Sequence, residues 1–276
     1  MKDGIKGVQR VDPEFRLNRN RIGLFCSHFQ NFKQYGVPKA QLILTDIPYN
    51  IGTNAYGSNP SWYIDGDNKN GESELAGREF FDTDKDFRPA EFMHFCSQML
   101  KPEPKERGKA PCMVVFCEFE QQFMLIELAK RYGLKNYINL VFRKNYSAQV
   151  LKANMRIVGN CEYGLVLFRD KLPKFNNDGQ MVFNSFDYPR DLGMPRIHPT
   201  QKPIQLLENL VRLFTDKDDV VIDPCAGSGS TLIAAAGLGR KTYGFEIKKA
   251  TYIDACEAIK HNIQLDLFEC TNDIMH

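Results

Sequence analysis

Val220-Val221-Ile222-Asp223-Pro224-Cys225-Ala226-Gly227-Ser228-Gly229-Ser230-Thr231, running on into Leu232-Ile233-Ala234-Ala235-Ala236, reads as a short apolar strand, a glycine-rich turn and the first turns of a helix. Glycine at 227 and 229 lets the backbone take unusual dihedrals and lets a ligand approach closely, and the free amides of a helix start favour a carboxylate or phosphate. Seventeen residues after Gly229, the strand-like Lys241 to Phe245 ends at Glu246, placed as an acid that would hold ribose hydroxyls. A strand, a glycine turn, a helix and a second strand ending in an acid are one half of a doubly wound α/β sheet. A dehydrogenase would want a third glycine at 232, where this chain has Leu232, so a nicotinamide cofactor is disfavoured.

Upstream, the apolar run Gln41 to Thr45 is followed by Asp46-Ile47-Pro48-Tyr49. In an open α/β sheet ligands lie outside the carboxyl ends of strands, so this turn would face the same crevice. Asp46 and the Ile47 carbonyl can each accept a hydrogen bond from an exocyclic amino group, and Tyr49 can stack on its ring. Between the two turns, His198-Pro199-Thr200-Gln201-Lys202-Pro203 precedes an amphipathic helix in which Ile204, Leu207, Leu210, Val211 and Phe214 recur at three- and four-residue spacing. Pro203 suits its first turn, where a missing amide proton costs nothing.

Taken in chain order, Asp46-Ile47-Pro48-Tyr49, the His198 to Pro203 hexapeptide, the Asp223 to Thr231 loop and Phe245-Glu246 resemble the β-class amino-DNA methyltransferases, over roughly Gln41 to Glu246. The resemblance implies a single domain over 1–276 with a Rossmann-like fold that uses S-adenosylmethionine, a mostly parallel seven-stranded sheet and a circularly permuted motif order. It implies that Asp223, Cys225, Gly227, Gly229, Ser230 and Thr231 line the cofactor pocket, that Glu246 takes the ribose, and that Thr200 and Lys202 hold the methionine end. It also makes Asp46, Ile47, Pro48 and Tyr49 the catalytic turn around a base flipped from double-stranded DNA. An acid-headed turn in that family leans towards N6 of adenine, a serine-headed one towards N4 of cytosine. A homodimer and a companion restriction endonuclease are partners the resemblance leaves open.

Three positions depart from the family pattern. Ile47 stands where proline is usual, which gives up one fixed φ angle and predicts a looser turn. Ser27-His28 stand near the place of a Gly-Asp pair whose acid contacts adenine of the cofactor. Ser230-Thr231 replace a Thr-Thr pair and keep both hydroxyls.

The remaining composition narrows the function class. At 276 residues with 43% hydrophobic content the chain can bury a full core. It has no run of about 20 apolar residues that could span a bilayer, and a cytoplasmic protein is expected. Its eight cysteines make no CxxC pairing, so neither zinc nor a disulfide framework is expected. Pro111-Cys112 and Pro224-Cys225 superficially offer the nucleophile of a carbon-5 cytosine enzyme, but Cys112 opens a buried strand and Cys225 lies within the glycine loop. Net charge is only +2, yet seven bases and no acid fall between Lys130 and Cys161. Within that stretch Arg143, Lys144, Lys152 and Arg156 are the candidate DNA-phosphate ligands.

Strands are expected near 41–45, 112–117, 137–143, 162–168, 219–222 and 241–245, and helices near 89–100, 119–132, 203–214, 229–238 and 248–263. Two irregular stretches remain. Residues 50–88 read as a mobile loop that contacts DNA, and 169–197 as a short target-recognition region. Two other classes explain less of the chain. A nicotinamide oxidoreductase leaves the Asp46 turn and the hexapeptide without a role, and a silent DNA-binding protein rests on Ile47 and the missing Gly-Asp alone.

Overall fold

Apolar runs rich in β-branched and aromatic residues form strands, and the amphipathic stretches between them form the helices that cover the sheet. The computed structural model describes residues 12–18, 21–48, 87–145, 149–152, 157–188 and 201–272. The first half of the chain gives β1 (Glu14–Leu17), β2 (Ile22–Cys26), a 3-10 helix (Phe29–Tyr35), β3 (Leu42–Asp46), α1 (Pro89–Met99), β4 (Cys112–Cys117), α2 (Gln121–Arg131) and β5 (Asn136–Lys144). The second gives β6 (Gln149–Lys152), β7 (Ile157–Gly159), β8 (Cys161–Phe168), β9 (Ser185–Tyr188), α3 (Ile204–Phe214), β10 (Val220–Asp223), α4 (Ser230–Gly237), β11 (Lys241–Glu246) and α5 (Lys249–Asn272).

Nine strands make one sheet in the order β1-β2-β11-β10-β3-β4-β8-β5-β9, with β6 and β7 as a separate hairpin. The expected count of seven is therefore corrected to nine. The central strands from β2 to β5 number seven, and β1 and β9 add the two edges. Neither edge strand has the length or apolar content that signals a strand: each is four residues long, and β1 carries Glu14 and Arg16. The pairs β2/β11, β11/β10, β10/β3 and β3/β4 are parallel, whereas β8 runs antiparallel to both β4 and β5.

Alternate residues of the central strands feed two cores on opposite faces, as a sheet covered on both sides requires. Ile43, Met113, Val115 and Ile222 pack under α1 and α2 with Phe92, Phe95 and Leu125. Leu42, Leu44, Val114, Phe116 and Val166 pack on the other face with Leu207, Leu210, Val211 and Phe214 of α3. A third cluster joins α4 and α5 to β2. From β10 the chain crosses through α4 to β11, while from β3 it crosses to β4 on the other side. The two neighbouring strands thus leave in opposite directions, which opens a crevice between their carboxyl ends.

Candidate active site

The crevice is floored by two acids on adjacent strands. Asp223, the last residue of β10, is buried; its Oδ1 accepts from the Thr45 hydroxyl at 2.7 Å and from the Cys225 amide at 3.0 Å. Burial pushes its carboxyl up to about 6, against the hydrogen bonds from Thr45 and Thr231. Asp223 therefore works as an internal clamp that ties the glycine loop to β3, and its side chain is spent on protein groups.

After that clamp the loop turns through Gly227 at φ +51° and Gly229 at φ +78°, backbone that side-chain-bearing residues rarely adopt. The Gly229 amide donates to the Ala226 carbonyl at 2.8 Å, closing the turn, and α4 starts at Ser230. A Cβ at Gly229 would come within 3.1 Å of Ile259, so a side chain there would crowd α5 as well as strain the backbone. Among the described residues, a Cβ at Gly227 would meet nothing nearer than the Cys225 carbonyl at 4.0 Å, so these leave open space over the loop at Gly227. Glu246 at the end of β11 accepts from the Gly227 amide at 3.0 Å and from the Lys248 amide at 2.7 Å, and burial raises its carboxyl. Cys26, at the end of β2, lies beside Glu246 in the sheet register, and Ser27-His28 follow it. His28 caps the 3-10 helix through its Nδ1.

Asp46 ends β3 next to this loop and is partly exposed. Its Oδ2 lies 2.5 Å from the ammonium of Lys202, which is 5% exposed and sits 5.2 Å from the centroid of the Phe116 ring. Lys202 also pairs with Glu162 at 3.3 Å, and Glu162 pairs with Lys144. Burial opposes the Lys202 charge, but Asp46 and Glu162, with Tyr188 beyond them, outweigh it and raise its pKa. Lys202 thus stays an ammonium. The sequence reading placed it at the methionine end of a cofactor; its partners in this structure are the carboxylates of Asp46 and Glu162.

The Ile47 turn is tethered in a way a proline could not match. Its amide donates to the Phe116 carbonyl at 3.3 Å, and its side chain is 2% exposed within the α1/α2 core. The looser turn expected from losing a fixed φ is thus offset by an extra hydrogen bond and a buried anchor. Gln121, at the start of α2, donates to the Pro48 carbonyl at 2.9 Å and accepts from the Glu118 amide, so it fastens the turn from outside. Gln121, Thr45 and Glu162 were not read as site residues. Of the three only Glu162 carries a local signal, an acid at the second position of a mostly apolar strand.

Tyr49, Thr200 and Arg156 lie outside the described residues, as does all of the 50–88 stretch except Phe87 and Arg88. Lys152 ends β6. The recognition stretch 169–197 is described to Tyr188 and contains β9, so its first part is attached to the sheet. Three bases of the stripe pair with acids at the surface: Lys130 with Glu127 of the same helix, Lys135 with Asp170 and Arg143 with Asp187 of β9. Lys144, expected as a phosphate ligand, is 10% exposed and pairs with Glu162. Arg143 remains exposed.

This arrangement combines a glycine crevice able to hold a cofactor with an acid turn able to accept hydrogen bonds from an amino group. A sequence model described as DNA methylase, of the N6/N4 type, matches residues 40–257. The chain belongs to the N6/N4 DNA methylase family. This methylase is 30% identical over 209 residues to YubD of Escherichia coli (strain K12), described as a methylase, covering 74% of the chain and 75% of that relative. It is also 30% identical over 132 residues, 47% of the chain, to the DNA adenine methyltransferase YhdJ of the same organism, of which it covers 40%. Among solved structures, the M1.HpyAVI complex with S-adenosylmethionine superposes with a TM-score of 0.60 at 20% identity, over 86% of this chain and 98% of that one. The PvuII cytosine-N4-specific methyltransferase gives 0.58 at 15% identity, over 89% and 92%. Both likenesses establish the fold. The methylase is thus a DNA methyltransferase of the N6/N4 class.

Proposed function

We propose that this methylase transfers a methyl group from S-adenosylmethionine to the exocyclic N6 amino group of an adenine extruded from double-stranded DNA. The observation that carries the reading is the adjacency of Asp46 and the glycine loop at the carboxyl ends of neighbouring strands, locked together by the Thr45 to Asp223 hydrogen bond. YhdJ, named an adenine methyltransferase, and the acid at the head of the turn favour adenine.

The loop fits the cofactor. Open space over Gly227 leaves room for a ligand against the backbone, and the α4 start beyond Gly229 offers free amides to an anionic group. Gly227, Gly229, Ser230, Thr231, Cys225 and Thr200 would line the pocket and Glu246 would face the ribose, with Asp223 shaping the loop from below. When bound, S-adenosylmethionine supplies an electrophilic methyl on a cationic sulfur.

An aromatic amino nitrogen is a poor nucleophile because its lone pair is delocalised into the ring. Asp46 and the Ile47 carbonyl accept hydrogen bonds from its two N–H groups and favour a pyramidal nitrogen, and Tyr49 stacks on the base. Asp46 need not be a strong base, since the proton leaves after transfer, when the nitrogen is cationic and acidic, and passes by way of the Asp46 carboxylate to water. Lys202, already protonated, cannot take that proton; it fixes the orientation of the Asp46 carboxylate. Most of the remaining acceleration is proximity of two bound reactants. Arg143, with Lys152 and Arg156, would contact phosphates. Pairing into a homodimer would widen the DNA footprint, and a companion endonuclease would make the methylase one half of a restriction-modification pair.

The test is incubation with tritiated S-adenosylmethionine and mixed-sequence duplex DNA, followed by digestion and separation of nucleosides. Label in N6-methyladenine supports the proposal. Label in N4-methylcytosine retains the turn chemistry and overturns the base, and label in 5-methylcytosine overturns both.

A further inference from the structure

Glu162 lies outside the motifs that mark the site in the sequence. It is the second residue of β8, opposite Phe142 of β5 and near Glu118 beyond β4, and its side chain is only 16% exposed. A carboxylate so placed stays charged only if cations hold it. Two do: Lys144 from β5 on one side and Lys202 from the segment before α3 on the other. Lys202 then reaches Asp46 at the end of β3. Among the described residues, four charges of alternating sign therefore run from β5 to the turn at the end of β3.

We propose that Glu162 is a positioning residue for methyl transfer: it draws Lys202 away from exclusive pairing with Asp46, so that the Asp46 carboxylate keeps the acceptor strength needed to bind an amino group. The inference rests on the reading of Asp46 given above and deepens it. An ammonium paired with one carboxylate neutralises that carboxylate strongly, whereas one shared between two leaves each with part of its charge. Substituting Gln keeps the shape of Glu162 and removes its share, so more of the Lys202 charge falls on Asp46.

Among the described residues, the charged and titratable groups around Glu162 are Lys144 of β5, Lys202, Asp46 of β3, Glu118 after β4 and, beyond Lys202, Tyr188 of β9. Burial would raise the Glu162 carboxyl, but Lys202 and Lys144 hold it below the usual range, so it is ionised at neutral pH. Loss of this anion lowers the pKa of Lys202. Amines acylate only when neutral, so the reactivity of Lys202 reports that change independently of catalysis.

The experiment compares wild type, Glu162→Gln, Glu162→Asp and Asp46→Asn. Single-turnover methyl transfer to duplex DNA, the dissociation constant for S-adenosylmethionine and the rate of Lys202 acetylation by acetic anhydride, read by peptide mass spectrometry, are measured for each. Lys174, which pairs with Asp216 elsewhere in the fold, is the control lysine. Glu162→Gln is expected to slow transfer at least tenfold, leave cofactor affinity within threefold and raise Lys202 acetylation at least threefold with Lys174 unchanged. Glu162→Asp is expected to restore most of the rate. If Asp46→Asn is inactive while Glu162→Gln matches wild type in rate and in Lys202 reactivity, the positioning role is wrong and the catalytic reading stands. Acetylation rising equally at Lys174 would mark general loosening and also overturn the role. If wild type transfers no methyl, or Asp46→Asn retains full activity, the catalytic reading falls and this inference with it.

Discussion

Replacing Asp223 with Asn isolates the cost of keeping a carboxylate beneath the crevice. Asp223 is 3% exposed, and burial pushes its carboxyl from an ordinary 3.8 to about 6 although Thr45, Thr231 and the Cys225 amide all donate to it. A folded pKa above the unfolded one means that the folded state holds the proton more tightly. Its stabilising contribution is complete below about pH 3.8 and is lost as pH rises through about 6. Two pH units at about 1.4 kcal/mol each give a loss on the order of 3 kcal/mol above neutrality. Asn keeps an oxygen for Thr45 and the Cys225 amide, and its amino group can donate to the Thr231 hydroxyl, but it does not titrate. Urea unfolding of both proteins therefore should show Asp223→Asn gaining roughly 2 kcal/mol on wild type between about pH 4.5 and about pH 8. Parallel pH dependences would refute the reasoning, because they would mean that Asp223 keeps an ordinary pKa and is solvated or paired more fully than its contacts indicate.

The two loop glycines should respond differently to alanine. Gly229→Ala is crowded by Ile259 as well as strained, and it should lose about 2 kcal/mol in a thermal or urea melt. Gly227→Ala faces open space, so it should cost only about 1 kcal/mol of stability yet weaken S-adenosylmethionine binding more than tenfold by calorimetry. Ile47→Pro, which restores the usual family residue, should destabilise by about 2 kcal/mol because it deletes the hydrogen bond to Phe116 and part of a buried side chain. Cys112→Ala should leave methyl transfer within twofold, since that thiol is fully buried in β4 and burial raises its pKa far from thiolate formation. Covalent capture of a fluorinated cytosine duplex by wild type would contradict this.

The parts of the fold legible in the sequence were those where one chemistry dominates a segment. The run over 112–117 is buried and apolar throughout, and those over 220–223 and 241–246 have buried centres whose polar residues fall mainly at the strand ends, so each is a strand as expected. The helix after Pro203 has a clean apolar stripe and also lies as expected, with Leu206 added to the buried set and Ile204 at its margin. β2 was not read as a strand although it is buried, because Ile22-Gly23-Leu24-Phe25-Cys26 is short and carries a glycine. That glycine makes room for the Phe25 and Tyr243 rings, at 2.9 and 3.0 Å from where its Cβ would be. β9 is held by pairing with β5 and carries no pattern of its own.

At the site, local chemistry was legible and long-range pairing was not. The glycine turn, Asp46 and Glu246 announce themselves by residue type and spacing. Lys202 and Asp46 are 156 residues apart, and nothing local shows that they form one ion pair. Charge counting failed for the same reason: Asp170, Asp187 and Glu162 lie outside the basic stretch in sequence but against it in space.

The most direct test of the central claim is single-turnover methyl transfer by wild type and Asp46→Ala at saturating S-adenosylmethionine and duplex DNA, with cofactor binding measured on both. The account predicts a labelled amino group with wild type, a rate at least a thousandfold lower in the variant, and cofactor affinity unchanged within threefold. An Asp46→Ala protein that binds the cofactor and transfers at the wild-type rate would contradict it, because the turn at the end of β3 would then not be where the amino group is held.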